Sequence, residues 1–254
     1  MVAKNNKSLG QHWLKNREIL EEIAEESAVG IAETGVKKCI EIGPGLGTLT
    51  SSLLKRFEKV TAVEFDKRLA ENLPKSFPGK DLEVINADFL KFDLENIEGP
   101  YVVAGNIPYY ITSPIIEKIL TVKNLPKRVV LLIQKEVAER IVDEKETMLS
   151  LFVKNRADAM LGVYVPREEF TPPPKVDSQV IILEPHAPKY DEDLFKIIRL
   201  AFSAPRKKLL HNLLPLKSKE ELLKIFEKTG VDADARPADL HLDDYSRLFH
   251  EIVL

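Results

Sequence analysis

The chain has one cysteine, Cys39, among 254 residues. A lone cysteine forms no intrachain disulfide, which argues against a disulfide-stapled secreted domain and against a zinc site of clustered cysteines. No other metal-ligand set stands out. No apolar run approaches the roughly 20 residues that cross a bilayer, so no membrane partner is expected. The first seven residues are polar and basic and lack the apolar core of a signal peptide. A cytoplasmic protein is the default expectation. Excess charge is also scarce: 37 Lys and Arg stand against 40 Asp and Glu, a formal net charge of −3. Overall basicity therefore does not mark a nucleic-acid binder.

What is present is an ordinary globular composition, 44% hydrophobic and 30% charged. At about 150 residues per domain the length suits one large domain with a small companion. The charges are unevenly spread. Residues 1–17 hold Lys4, Lys7, Lys15 and Arg17 without an acid, and residues 203–219 hold Arg206, Lys207, Lys208, Lys217 and Lys219 without an acid. A local basic patch steers a polyanion even under a negative total; the alternative reading is a solvated helix face.

The first two-thirds alternates apolar runs with amphipathic stretches. Strands are expected at 38–42, 60–65, 82–85, 101–104 and 129–133, and helices at 19–32, 47–57, from 66, 113–122 and 135–142. Short, uniformly apolar strands alternating with helices argue for a doubly wound α/β fold whose parallel sheet is covered on both faces. Residues 159–165 and 176–183 read as further strands around a stiff loop that contains Pro172, Pro173 and Pro174. Beyond Tyr190 the pattern is helical. A boundary near 187 divides the chain into domains 1–187 and 188–254.

Four motifs carry chemistry. In Glu41-Ile-Gly-Pro-Gly-Leu-Gly47, a strand runs through a glycine loop into a helix. Glycines at 43, 45 and 47 let the backbone turn sharply and a ligand approach with no Cβ in the way. The spacing differs from the dinucleotide G-x-G-x-x-G pattern, as expected for a ligand without a pyrophosphate; a ligand-free strand–helix turn is the alternative. Glu64 ends the second strand, 21 residues after Gly43, where a carboxylate can accept from both ribose hydroxyls or simply be a surface acid. Asp88 follows the third strand, where it could accept from an adenine amine, with Phe89 against the ring, or cap a local turn.

The fourth motif is Asn106-Ile-Pro-Tyr-Tyr110. The amino group of adenine is a poor nucleophile because its lone pair is delocalised into the ring. Methylating it requires two acceptors on its N–H bonds. The Asn106 side-chain oxygen and the Ile107 carbonyl, in a turn stiffened by Pro108, can supply them. Tyr109 offers a face for an extruded base.

These residues resemble the ribosomal RNA adenine N6,N6-dimethyltransferase family. The likeness extends over nearly the whole chain through residues 7–14 (KSLGQHWL), the glycine loop, Val63-Glu64, Ala87-Asp88, 106–114 (NIPYYITSP), 134–140 (QKEVAER) and 170–178 (FTPPPKVDS). The resemblance implies a Rossmann-like methyltransferase domain, S-adenosylmethionine as cofactor, and a small helical domain that docks on RNA through Arg206, Lys207 and Lys208. It implies that His12, Leu14, Gly43, Glu64, Asp88 and Asn106 contact the cofactor. Asn106, Pro108, Tyr109 and Phe170 would form the catalytic pocket, with Phe170 stacked on the target adenine opposite Tyr109; from residue chemistry alone Phe170 reads as a core aromatic. The implied reaction is dimethylation of two adjacent adenosines near the 3′ end of small-subunit ribosomal RNA, by a monomer acting on the small subunit. Two other readings stay open: a large-subunit adenine methyltransferase of the antibiotic-resistance type, and a non-catalytic assembly factor. The chain has Trp13 and Asn16 where the family commonly has Phe and Asp. Ala204, Pro205 and His211 occupy positions where the family often has basic residues.

Overall fold

The computed structural model describes residues 11–253; Lys4, Lys7 and the start of the N-terminal motif lie outside the described residues. Two compact units divide the chain. One comprises residues up to Glu139 together with Asp158–His186; the other comprises Arg140–Ala157 and residues from Ala187 onward.

In the first unit β1 (Trp13–Leu14) precedes α1 (Arg17–Ser27), α2 (Ile31–Thr34) and β2 (Lys38–Ile42). Asn16 caps α1, its side-chain oxygen accepting from the N–H groups of Glu18 (3.0 Å) and Ile19 (3.3 Å). Asn is as good an N-cap as the Asp it replaces. One helix is expected over 19–32, but the left-handed Gly30 (φ 70°) splits it into α1 and α2. There follow α3 (Thr48–Leu53), β3 (Lys59–Glu64), α4 (Lys67–Asn72), β4 (Leu82–Asn86), β5 (Tyr101–Asn106), α5 (Thr112–Ile119), β6 (Val129–Gln134) and the start of α6 (Lys135–Val142). After α7 (Met148–Arg156) the chain returns with β7 (Ala157–Val165), β8 (Phe170–Thr171) and β9 (Ser178–Pro185).

Seven strands form one sheet in the order β4-β3-β2-β5-β6-β9-β7. The strands from β4 to β6 are parallel and β9 runs antiparallel to β6. The parallel α/β fold read from the sequence is present, with an antiparallel strand that periodicity alone did not orient. Strands β5 and β6 are buried almost throughout, which is why they appear in sequence as unbroken apolar runs. The chain leaves β2 toward β3 and β4, then returns to place β5 on the other side of β2. That reversal opens a crevice at the carboxyl ends of the strands. A second, two-stranded sheet pairs β1 with β8, Trp13 opposite Thr171 and Leu14 opposite Phe170. It has no periodicity long enough to be read in advance.

The second unit is helical: α7, α8 (Glu192–Ala201), α9 (Leu209–Leu213), α10 (Lys219–Thr229) and α11 (Leu242–Val253). Its core gathers Leu151 of α7 with Phe195, Phe226, Tyr245 and Leu248. This corrects the expected division at 187, because residues 140–157 belong with the helical unit. Two interactions hold them there. Leu151 enters its core, and the buried Glu146 carboxylate accepts from Lys154 (2.8 Å) and Ser150 (2.6 Å) and meets His241 Nδ1 at 3.0 Å. Such long-range pairing leaves no local signature.

Gly105 allows β5 to lie close to β2. A Cβ there would stand 2.8 Å from the Ile42 carbonyl oxygen and 3.0 Å from the Ile42 Cβ, and a backbone atom in a central strand cannot rotate away. Gly105→Ala is expected to lower stability by about 1–3 kcal/mol, the range for overpacking, measured by urea unfolding.

Candidate active site

At the carboxyl ends of β2, β3, β4 and β5 lies a cavity of about 300 Å³. Its floor is the glycine loop. Gly43, Gly45 and Gly47 have φ of 62°, 59° and 81°, the left-handed region that side chains disfavour. At Gly47 a Cβ would also come within 2.6 Å of Leu73. The loop is tied across the strand tips: Gly43 N–H donates to the Val63 carbonyl (3.0 Å), and Gly45 N–H donates to Glu64 Oε2 (3.0 Å). The other Glu64 oxygen accepts from Asp66 N–H at 2.8 Å. Burial pushes the Glu64 carboxyl above the usual carboxylate range, while the Asp66 and Gly45 N–H groups oppose the shift. Glu64 is thus no surface acid; it fastens the loop and keeps further lone pairs for hydroxyl donors.

Asp88 takes the turn-capping role and also stands in the cavity lining. Its Oδ1 accepts from Leu90 N–H at 2.9 Å, capping a turn, and it lines the cavity. Oδ2 has no hydrogen bond among the described residues. Phe89 lines the same wall, with its ring centroid 6.3 Å from that of Phe92.

At the end of β5, Asn106 Nδ2 donates to the His12 carbonyl at 3.0 Å. With the amide nitrogen committed, Oδ1 remains as an acceptor. Ile107 N–H reaches the Leu132 carbonyl at 3.4 Å, and the Pro108 carbonyl accepts from Ile111 N–H at 3.2 Å in the turn that follows. The Ile107 carbonyl accepts no backbone hydrogen bond among the described residues. Tyr109 is anchored by its hydroxyl, 2.6 Å from Ser178 Oγ. Its ring lies parallel to that of His12, with centroids 6.2 Å apart and an interplanar angle of 15°. His12 Nδ1 is 2.7 Å from the Pro172 carbonyl. A carbonyl only accepts, so Nδ1 carries a proton and donates to it.

The cavity therefore brings together His12, Leu14, Gly43, Glu64, Asp88, Asn106, Pro108 and Tyr109. Leu14 does so as a buried apolar residue. Phe170 is not among the lining residues. It is 1% exposed and packs in the core with Leu14, Val165 and Val180, because pairing β8 with β1 turns its ring inward. The expected stacking face opposite Tyr109 is corrected: the ring there belongs to His12. Arg206, Lys207 and Lys208 are exposed in the helical unit, and Lys208 forms an ion pair with Asp234.

Several residues of the site were not singled out from the sequence. Trp13 lies against the loop, its indole 3.2 Å from where a Gly45 Cβ would stand. Phe65 and Tyr110 line the cavity while remaining well exposed, Tyr110 at 68%. Glu41 lies inside it, 1% exposed, with Oε2 lacking any partner among the described residues. A lining of left-handed glycines, open acceptors and an orphaned buried carboxyl suits a nucleoside that carries positive charge. Glu64→Ala is expected to weaken such a ligand by about 1.5–3 kcal/mol, the scale of hydrogen bonds to a charged group, as measured by calorimetry.

The family model described as ribosomal RNA adenine dimethylase matches residues 2–253. A ribosomal RNA small subunit methyltransferase A of Fusobacterium nucleatum is 37% identical, covering 98% of this chain and 97% of the relative. One of the same name from Mycoplasmopsis pulmonis is 36% identical, covering 97% and 98%. Among solved structures, a dimethyladenosine transferase from Plasmodium falciparum superposes with a TM-score of 0.76 at 28% identity, covering 96% of this chain and 99% of that one. The 23S rRNA methyltransferase ErmE also reaches a TM-score of 0.76, at 27% identity, covering 95% and 100%. With its strand-tip acceptors in the order the motif sequence requires, the chain belongs to the ribosomal RNA adenine dimethylase family, enzymes that take their methyl groups from S-adenosylmethionine.

Proposed function

We propose that this chain dimethylates N6 of two adjacent adenosines near the 3′ end of small-subunit ribosomal RNA during ribosome maturation, working as a cytoplasmic monomer. The small-subunit assignment rests on the names of its relatives. The observation that carries the chemistry is the state of Asn106, a lining residue of the cavity: its amide nitrogen is spent on the His12 carbonyl, and its oxygen accepts no hydrogen bond among the described residues.

S-adenosylmethionine supplies an activated methyl group when bound. Gly43, Glu64 and Asp88 would hold its methionine, ribose and adenine parts respectively, with the His12–Leu14 segment folded over it. Asn106 Oδ1 and the Ile107 carbonyl accept the two N–H bonds of the target amine, which turns the nitrogen lone pair toward the donor. Tyr109, held rigid by Ser178, supports the extruded base. No protein group forms a covalent bond to the substrate, so positioning accounts for the rate gain, up to roughly 7–11 kcal/mol. A second transfer requires room for one methyl beside Ile107 and Tyr110.

Asn106→Ala is expected to abolish methyl transfer while cofactor binding, followed by calorimetry, persists; full methylation by the variant would remove Asn106 from the reaction. Mass spectrometry of nucleosides from treated small and large subunits decides between the small-subunit reading and the large-subunit alternative. The helical unit is proposed to dock on RNA through its basic turn. Since Lys208 is already paired, neutralising Arg206 and Lys207 is expected to reduce the salt slope of RNA binding by about 1.4–1.8. An unchanged slope would make the turn an ordinary solvated surface.

A further inference from the structure

Glu41 is the one acidic side chain of the cavity with no visible task. It lies mid-sheet, with Ala62 of β3 and Ala104 of β5 as its register partners. Neither methyl group offers a hydrogen-bond donor. From α1, Leu20 and Ile23 line the same cavity. Thr50 of α3 opposes the desolvation, yet neither Glu41 Oε2 nor Thr50 Oγ1 has a hydrogen-bond partner among the described residues. No lysine, arginine or histidine among those residues forms an ion pair with it. The nearest charge of consequence is Glu64, of the same sign. Burial and that neighbour push the Glu41 carboxyl up to about 8. The other titratable groups around the cavity are His12, Asp88, Tyr109 and Tyr110, and the Cys39 thiol, two residues earlier on β2, is itself pushed up by burial and by Glu41.

An ionised carboxylate in such a place is too costly without a cation, so in the cofactor-free protein the neutral acid is favoured below that pH. The ligand of this cavity brings the missing cation: S-adenosylmethionine carries a sulfonium and an ammonium group. We propose that Glu41 is a cofactor-binding carboxyl that keeps its proton in the cofactor-free protein and releases it to solvent as the cationic methyl donor enters. Binding then exchanges one proton for one positively charged ligand, and the buried site remains close to charge-balanced. The inference rests on S-adenosylmethionine occupying this cavity.

The sign follows from linkage. A ligand that selects the ionised form binds more tightly as pH rises toward the free protein's value, and levels off above it. Between pH 6 and 7, where the donor's own α-ammonium stays protonated, the dissociation constant is expected to fall as pH rises, by up to tenfold per unit. Calorimetry at pH 6.5 in buffers of different ionisation enthalpy should show net proton release on cofactor binding, approaching one proton per cofactor. Glu41→Gln should release none and should bind with an affinity independent of pH over that range, even though Glu64 is intact. Release without change in Glu41→Gln would assign the proton to Glu64 and overturn the proposal, as would wild-type binding with no buffer dependence. The absence of any binding heat would instead overturn the cofactor reading on which it rests. Should Glu41→Gln fail to fold, infrared difference spectra of the wild type decide: a protonated-carboxyl band that disappears on adding cofactor supports the proposal, and its persistence overturns it.

Discussion

Gly45 N–H donates to the buried carboxylate of Glu64, and the remainder of the site depends on that contact. A glycine loop has little reason to hold one shape: each left-handed residue gains no side-chain packing and loses more backbone freedom on folding than any other residue type. Here the loop is pinned to the tip of the next strand by Glu64 and by the Gly43 N–H bond to the Val63 carbonyl. The same carboxylate accepts from Asp66, which in turn caps α4 by accepting from Arg68 N–H. One side chain thereby sets the loop, the strand tip and the start of a helix. The arrangement is possible because β2 and β3 are parallel and in register, bringing Ile42 opposite Val63.

The opposite wall uses the same economy of partners. Asn106 is positioned by a backbone carbonyl of a short segment that is itself held by a two-stranded pairing, Leu14 to Phe170. His12 is fixed at both ends, through its carbonyl on Asn106 and its ring nitrogen on the Pro172 carbonyl. The proline-rich loop, remote in sequence, therefore governs the orientation of the Asn106 amide. Phe170 has its part here as a packing residue: buried against Leu14, it anchors the strand that carries His12. The family resemblance assigned it a direct stacking role, while residue chemistry alone made it a core aromatic, and its burial matches the latter.

Two buried carboxyl groups, Glu41 and Glu64, face one cavity without a basic partner among the described residues. In an ordinary core this would be a destabilising arrangement, since each charge loses hydration and repels the other. Glu64 is compensated by backbone N–H groups. Glu41 Oε2 has no hydrogen-bond partner among the described residues, a deficit of the kind a cationic ligand would satisfy. Uncompensated polarity at a strand tip is characteristic of a binding site.

The sequence by itself determined the elements whose causes are local. Apolar runs set β2, β3, β5 and β6; Asn16, Asp66, Asp191 and Ser218 set helix starts; the glycine spacing and the NIPYY turn located the cavity and its chemistry. Composition could not have done this, because the net charge is close to neutral. Tertiary structure alone decided what depends on residues distant in the chain. It assigned residues 140–157 to the helical unit through Glu146 and Leu151, oriented β9 against β6, and paired β1 with β8 and so turned Phe170 inward. It also left the Oε2 of Glu41, which reads as one more letter of the glycine motif, without a hydrogen-bond partner among the described residues. The physical reason is the same throughout. Periodicity and caps report interactions a few residues apart, whereas burial, register and the loss of hydration are properties of neighbours that only folding brings together.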